Sequence, residues 1–299
     1  MMDFQRHWTV FVSLAAIALL PAWHPLLQAL SLSWHNDEYT HILLILPLAA
    51  LIIFLERKSV RNAYRWGVFS GLALMAIAAV SAFAAYFCRH SLTPDVLLAL
   101  EVLALVVWWI GSFVLCFGPG LARAFSFTIL LLFGLVPLPG IILDRIIALL
   151  QIGSAWSAYG LFAICGVPVV QNGVLLTIPN LTLQVAHECS SIRSSSMLLV
   201  TTIVVAEVLL HSPWKKALLI ALAIPLSVAK NGLRIFVIAM LGTRVDPGYL
   251  TGSLHRQGGI LFFAIALTCI FAVLAVLQRG ERMTAHSDMQ RPSAATKGD

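Results

Sequence analysis

Residues 258–277 read GGILFFAIALTCIFAVLAVL, a stretch of 20 residues without a charged side chain. A helix of about 20 apolar residues is as long as the hydrocarbon core of a bilayer is thick. Because that core holds no water to satisfy backbone N–H and C=O groups, such a stretch is expected to be helical. This segment therefore predicts an integral membrane protein.

The whole chain has the composition that this segment leads one to expect. Its 299 residues are 60% hydrophobic and 11% charged, and the mean hydropathy is +0.93. Soluble domains are about 45–50% apolar and about 25% charged. The net charge of +6 does not indicate nucleic-acid binding, because the cations lie in short loops between apolar runs rather than on one basic face. The lipid bilayer is the expected surrounding.

The apolar runs predict an all-α membrane protein with about eight transmembrane helices. An outer interfacial helix over 141–165 and a small hairpin around the Asn172-Gly173 turn are expected between the fifth and sixth spans. The N-terminal run is interpreted as a retained first span. One membrane domain is predicted over 1–277, with a disordered cytoplasmic tail over 278–299. The predicted spans lie near 8–30, 41–55, 67–88, 96–117, 122–138, 192–210, 217–240 and 258–277.

The distribution of cations predicts the orientation of the chain in a cytoplasmic or inner membrane. With the N-terminus inside, 12 of the 19 Lys and Arg residues fall in inner segments, in agreement with the positive-inside rule. Both termini are therefore expected in the cytoplasm. The segments before the sixth and eighth spans then face outside.

The densest polar cluster is HECSSIRSSS, residues 187–196, where the predicted hairpin leads into the sixth span. At a helix start, unpaired N–H groups and the helix dipole favour a thiolate over a thiol, so Cys189 is a candidate nucleophile. Apolar neighbours make the other cysteines candidates for simple packing. No CxxC pair occurs, so neither a structural zinc site nor a disulfide framework is indicated. The other cysteines are Cys88, Cys116, Cys165 and Cys269.

Two further candidates lie near the same outer boundary. Lys230 and Arg234 are four residues apart on the seventh span, and ionisable groups at membrane depth usually face a bundle interior or an aqueous cavity. A cation that snorkels to the interface is the alternative, and it suits Lys230 equally well. His255 lies in the loop before the eighth span, where a lone histidine is more often an ordinary surface residue. The predicted orientation nevertheless brings Cys189, Arg234 and His255 to one face.

Six motifs follow one another along the chain in a specific order and spacing: NDEYTH (36–41), PLP (137–139), GVPVVQNG (166–173), CSSIRS (189–194), NGLRI (231–235) and His255 with Gly259. In this combination the chain resembles the exosortase and archaeosortase transpeptidases. By that resemblance, Cys189, Arg234 and His255 are the catalytic residues.

Two departures from the family pattern indicate a divergent subfamily. Glu188 precedes the cysteine where the family has a small residue, and Ser191 replaces a glycine. The carboxylate of Glu188 is expected to point away from the thiol or to pair with a cation such as Arg193.

The resemblance implies cleavage or transfer of peptides through a thioester on Cys189, with His255 moving protons and Arg234 stabilising an oxyanion. It implies substrates that are membrane-anchored exported proteins with a C-terminal sorting signal, and it implies neither a metal nor an organic cofactor. Supporting or substrate-binding roles are expected for Glu188, Ser190, Arg193 and Asn231.

Three other functions fit parts of the sequence. A transporter would use Glu101, Asp144, Lys230 and Arg234 along a path, although the sequence shows no repeated halves. A non-catalytic scaffold of an envelope or polysaccharide-export system would leave Cys189 without a chemical role. Lipid or acyl transfer would use the same cysteine.

Overall fold

A computed structural model describes residues 2–55, 65–185, 192–250 and 259–290, with side chains for 5–54, 65–185, 192–250 and 259–283. The chain divides into two compact units, 1–144 and 145–299. In the order of the chain, the first unit contains α1 (Met2–His35), α2 (Ile42–Leu55), α3 (Val68–Phe87), α4 (Pro94–Ala124) and α5 (Ser126–Leu132). The boundary between the units falls within α6 (Gly140–Ile164).

The first unit is built around α4, which packs closely against α3. Small residues let the two backbones approach: a Cβ added to Gly111 would lie 2.8 Å from Met75 Cγ and 3.0 Å from Met75 N. Small residues at helix contacts are typical of membrane helices, which gain little from hydrophobic burial against one another. Near its end α4 bends at Gly118, where φ is 84°, followed by Pro119. Both residues disfavour a regular helix.

After α4 the chain returns toward the N-terminal end of that helix. It passes through α5 and a 3-10 turn, Phe133–Leu135. Tyr39 Oη donates to the carbonyl of Leu138 at 2.9 Å, and Gly140 N donates to Asp95 Oδ2 at 2.7 Å. Asp95 is in the first turn of α4. The connection therefore runs back along the length of α4.

The second unit combines a helical bundle with a small sheet. Its strands are β1 (Val170–Asn172), β2 (Leu175–Ile178) and β3 (Leu181–Gln184), antiparallel in the order β1-β2-β3. The later helices are α7 (Ile192–Leu209), α8 (Pro213–Arg244) and α9 (Gly259–Gln290). Buried side chains of these three helices form one apolar core, which includes Leu198, Leu219 and Ile270.

The predicted all-α membrane fold is confirmed, and eight of the described helices are long and apolar enough to span a membrane. One of these eight helices is not the one that the sequence predicted. Residues 126–135, inside the predicted fifth span, form a shorter apolar helix, whereas α6 has the length and composition of a span. The polar residues that favoured an interfacial helix, Asp144, Arg145 and Gln151, all lie in the first half of α6. Its second half has no charged residue.

Two further features differ from the prediction. The predicted hairpin is a sheet with three strands. The last helix continues to Gln290, so residues 278–290 of the predicted tail are helical, and 291–299 lie outside the described residues. A single membrane domain over 1–277 stays a prediction.

Candidate functional site

The predicted site residues all belong by sequence to the second unit. Arg193, Asn231 and Arg234 are described. The segment 186–191, with Glu188, Cys189 and Ser190, and the segment 251–258, with His255, lie outside the described residues. The described part of the site consists of α8 and the elements that surround it.

Helix α8 carries polar side chains in its middle, where a membrane helix is normally apolar. The helix starts after Ser212 with Pro213 in its first turn, a position at which proline costs no hydrogen bond. Ser227, Lys230 and Asn231 are all buried. Arg234 is half-buried, four residues after Lys230 and about 6 Å further along the helix axis. These residues form one polar stripe.

Lys230 lies in the interior of the unit. Only 5% of it is exposed, and its Nζ donates to Ser194 Oγ on α7. A buried ammonium needs such a partner, because an isolated charge in an apolar interior is costly. The snorkelling alternative therefore does not describe Lys230. Its hydrogen bond joins the polar stripe of α8 to the first turns of α7, five residues after Cys189 in the sequence.

Asn231 holds α8 against α6. Its Nδ2 donates to Ser154 Oγ at 2.9 Å, and both residues are only 1% exposed. The next residue, Gly232, lies so close to α6 that an added Cβ would overlap Ser157 and lie 2.9 Å from the backbone N of Ala158. This contact fixes the height and rotation of α8 one turn before Arg234.

Arg234 lines a cavity of about 200 Å³. One wall is helix α8 and the other is strand β3, with Leu250 at a third side. The guanidinium therefore belongs to a partly enclosed site rather than to the lipid-facing surface. The lining residues are Leu181, Leu183, Gln184 and Val185 from the strand side, Asn231, Arg234, Ile235 and Ile238 from α8, and Leu250.

Two residues of this lining immediately precede the segments that hold Cys189 and His255. Val185 is firmly held: its N donates to Val174 O at 3.0 Å, and its carbonyl accepts from Gln151 Nε2 of α6 at 3.1 Å. Leu250 ends a 3-10 turn, Pro247–Leu250. Its side chain packs against Gly242, where an added Cβ would lie 2.5 Å from Leu250 Cγ. Both segments thus start from the border of the Arg234 cavity.

The sequence did not identify the residues of α6 that support this site. Gln151, Ser154 and Ser157 recur every three residues and so lie on one side of the helix. Gln151 binds the end of the β3 strand, Ser154 binds Asn231, and Ser157 adjoins Gly232. The i, i+3, i+6 spacing of polar and small residues in an apolar run was the available signal.

The other cysteines differ from one another. Cys116 is fully buried in α4, in agreement with a packing role. Cys88, Cys165 and Cys269 are exposed on the protein surface, so the expectation that they pack in the core is wrong. Spans in a membrane expose apolar residues to lipid, and there a cysteine needs no protein neighbours. The described parts of the chain contain no cluster of three or more His, Cys, Asp and Glu residues that could hold a metal.

Comparison with known proteins agrees with the resemblance found in the sequence. The model of the family described as transmembrane exosortase (Exosortase_EpsH) matches residues 33–272, which is more than half of the chain. No curated protein and no solved structure shows a significant match. The matched region includes every predicted site residue. The chain therefore belongs to the transmembrane exosortase family.

Proposed function

We propose that this exosortase-family membrane protein is a cysteine transpeptidase or protease. It cleaves the C-terminal sorting signals of exported, membrane-anchored proteins at the outer face of the cytoplasmic or inner membrane. The reaction passes through a thioester on Cys189, with His255 and Arg234 as the other catalytic residues. Family membership implies this kind of activity, and the arrangement around Arg234 supports the assignment of the three residues.

The proposal rests on two residues that line the Arg234 cavity, Val185 and Leu250, because the segments with Cys189 and His255 start directly after them. Cys189 follows the lining residue Val185 by four positions, and His255 follows Leu250 by five. A fully extended chain covers at most about 3.6 Å per residue, so Cys189 lies within about 14 Å of Val185 and His255 within about 18 Å of Leu250. Chain connectivity therefore allows both residues to reach the Arg234 guanidinium, which supports the proposal.

The proposed chemistry follows from these residue types. The Cys189 thiolate attacks the scissile carbonyl carbon, and the Arg234 guanidinium stabilises the charge that develops on its oxygen. The C–N bond then breaks, the leaving amine takes a proton from His255, and a thioester remains on Cys189. An acceptor amine or hydroxyl, or water, loses its proton to His255 and attacks the thioester. The acceptor determines whether the outcome is transfer or hydrolysis.

The supporting residues have distinct proposed roles. Asn231 holds α8 in register through its bond to Ser154, which fixes the position of Arg234. Arg193 is exposed at the start of α7 and offers a cation close in sequence to Glu188. An ion pair between them would keep the carboxylate from disfavouring the thiolate. Ser190, next to the nucleophile, is proposed to contact substrate.

A cysteine series tests the proposal. Cys189→Ala is expected to abolish processing of a membrane-anchored sorting substrate while the protein still inserts and accumulates. A variant that keeps only Cys189 should retain activity and, with the acceptor withheld, should accumulate a thioester that hydroxylamine releases. The matched control is Cys116→Ala, which removes a buried thiol from the first unit and should cost stability but not chemistry. Normal processing by Cys189→Ala would overturn the proposal in favour of a scaffold or transporter.

The same variants distinguish peptide transfer from lipid or acyl transfer. Mass spectrometry of the trapped thioester identifies the group attached to Cys189. A substrate peptide is the expected adduct, whereas a fatty acyl group would assign the protein to acyl transfer.

The proposed orientation needs a separate test, because the return of the chain along α4 adds a short apolar helix, Ser126–Leu135, to the eight long ones. Reporter fusions after Arg61 and Lys216 are expected in the cytoplasm, and fusions after Asp37 and Asp246 outside. If Ser126–Leu135 and α6 both cross the bilayer, Lys216 and Asp246 exchange sides. That result would contradict a site on the outer face.

A further inference from the structure

Strand β3 ends the sheet in the part of the chain that the structure describes. In an antiparallel pair, hydrogen-bonded and non-hydrogen-bonded residue pairs alternate. Val185 N bonds to Val174 O, and β2 and β3 are paired in the same register. Leu183 and Leu181 therefore direct their backbone groups toward β2. The backbone N–H and C=O groups of Thr182 and Gln184 consequently point away from β2, at the outer edge of β3.

The Arg234 cavity lies along this strand. Leu181, Leu183 and Gln184 line it from the β3 side, and Asn231 and Arg234 line it from α8. Among the residues that the structure describes, no strand pairs with this edge, and an unpaired strand edge is a template for another extended chain. Gln184, whose backbone groups lie at that edge, and Arg234 both line this cavity. Backbone pairing at the edge would thus bring a peptide carbonyl into the neighbourhood of Arg234.

We infer that the substrate segment around the scissile bond binds as an additional strand on the outer edge of β3. This inference rests on the proposed function, and it adds how the substrate is held. The occupant is an extended polypeptide, because only a backbone supplies donors and acceptors at the spacing of a strand edge. Thr182 and Gln184 bind the substrate backbone.

The apolar lining adds selectivity for side chains. Leu183, Ile235 and Ile238 leave the cavity largely apolar beside Arg234. Side chains of an extended chain alternate between two faces, so every second substrate residue faces this lining. The arrangement favours small or apolar side chains at those positions and tolerates polar ones between them.

The test scans the substrate backbone for hydrogen bonds. The probe is a synthetic C-terminal segment of an exported protein, comprising the junction and its transmembrane helix, selected because it binds the purified Cys189→Ala protein. Each junction residue is N-methylated in turn, and Kd is measured with that inactive protein. A hydrogen bond lost from such a site is expected to cost about 10-fold in Kd. The inference predicts this loss at alternate residues and almost none between them.

The enzyme side provides matched variants. Gln184→Pro removes one edge N–H and is expected to raise Kd about 10-fold above that of Gln184→Ala, which shortens the same side chain but keeps the N–H. Gln171→Pro removes an N–H from β1, at the other end of the sheet, and should leave Kd unchanged. Thermal melting verifies that each variant is folded.

The outcomes separate the inference from the proposed function. Equal tolerance of N-methylation along the junction, or failure of every junction segment to bind, would overturn strand addition. The scan needs no change in strand β3, so it decides the matter even if Gln184→Pro does not fold. Alternation in Kd together with normal cleavage by Cys189→Ala would uphold the binding mode and refute the cysteine mechanism.

Discussion

Helices α4 and α8 are similar in length, 31 and 32 residues, but the contact of α4 with α3 differs in kind from the contacts of α8 with α6 and α7. Helix α4 meets α3 through glycine and apolar side chains, as at Gly111. Helix α8 meets α6 and α7 through buried hydrogen bonds from Asn231 and Lys230. Burying polar groups is costly unless each one is paired. Packing alone does not require that cost, so the difference agrees with the proposed catalytic role of α8.

The difference between α4 and α8 has measurable consequences. Substitutions that disturb α4 should lower the stability of the protein and leave the activity of each folded molecule nearly unchanged. Substitutions that disturb the polar stripe of α8 should lower the activity of folded protein. Both quantities are needed for each variant, because a loss of activity alone does not distinguish the two cases.

The largest expected effect is that of Arg234→Lys. A lysine keeps the charge but lacks the planar array of donors, so kcat/KM for sorting-signal cleavage should fall by about 100-fold or more. Arg123→Lys is the matched control on α4, where the arginine is exposed in the last turn, and it should have no effect. Activity is measured on purified protein with a fluorescent substrate segment.

The result also tests whether Arg234 is the correct cation. Lys230→Met removes the buried ammonium that binds Ser194 and is expected to act mainly on stability. Full activity in Arg234→Lys together with lost activity in Lys230→Met would assign the chemistry to Lys230. Helix α8 would then still supply the catalytic cation, but that cation would be Lys230 rather than Arg234.

A smaller effect is expected from adding one methyl group at each helix contact. Gly111→Ala and Gly232→Ala both force a Cβ against a neighbouring helix, and overpacking typically costs about 1–3 kcal/mol. Only Gly232→Ala should also lower kcat, by about 10-fold, because a displaced α8 misplaces Arg234. Thermal unfolding in detergent measures the loss of stability, and single-turnover kinetics measure the change in kcat. Equal kcat in the two variants would remove the distinction between the helices.

The sequence was informative about the fold because the membrane allows few solutions. Apolar runs such as 258–277 must be helices, and most of their positions followed from hydropathy alone. The fifth span was the exception. Hydropathy does not reveal that 126–135 forms only a short helix, or that the charged residues of α6 are confined to its first half. Those features depend on tertiary contacts, such as that of Gly140 with Asp95.

The site was only partly accessible from the sequence. Arg234 followed from the rule that intramembrane cations are functional, and its position on a cavity agrees with that reasoning. The roles of Gln151, Ser154 and Ser157 depend on which face of α6 meets α8, and no local pattern specifies a partner helix. Cys189 and His255 remain predictions, because they lie outside the described residues.

The smallest expected effect concerns two buried serines. Ser112 Oγ on α4 donates to Trp108 O of its own helix at 2.8 Å, whereas Ser154 Oγ accepts from Asn231 across the α6–α8 contact. Ser112→Ala removes a local bond and gains helix propensity, so the free energy of unfolding should change by less than about 0.5 kcal/mol. Ser154→Ala removes an acceptor of a buried amide and should cost about 1–3 kcal/mol. A double-mutant cycle with Asn231→Ala isolates the bond: a coupling energy of about 1 kcal/mol is expected for Ser154 and none for Ser112. Because that bond sets the register of α8, Ser154→Ala should also lower kcat by a few-fold, and an unchanged kcat would mean that α8 is positioned by its glycine contact alone.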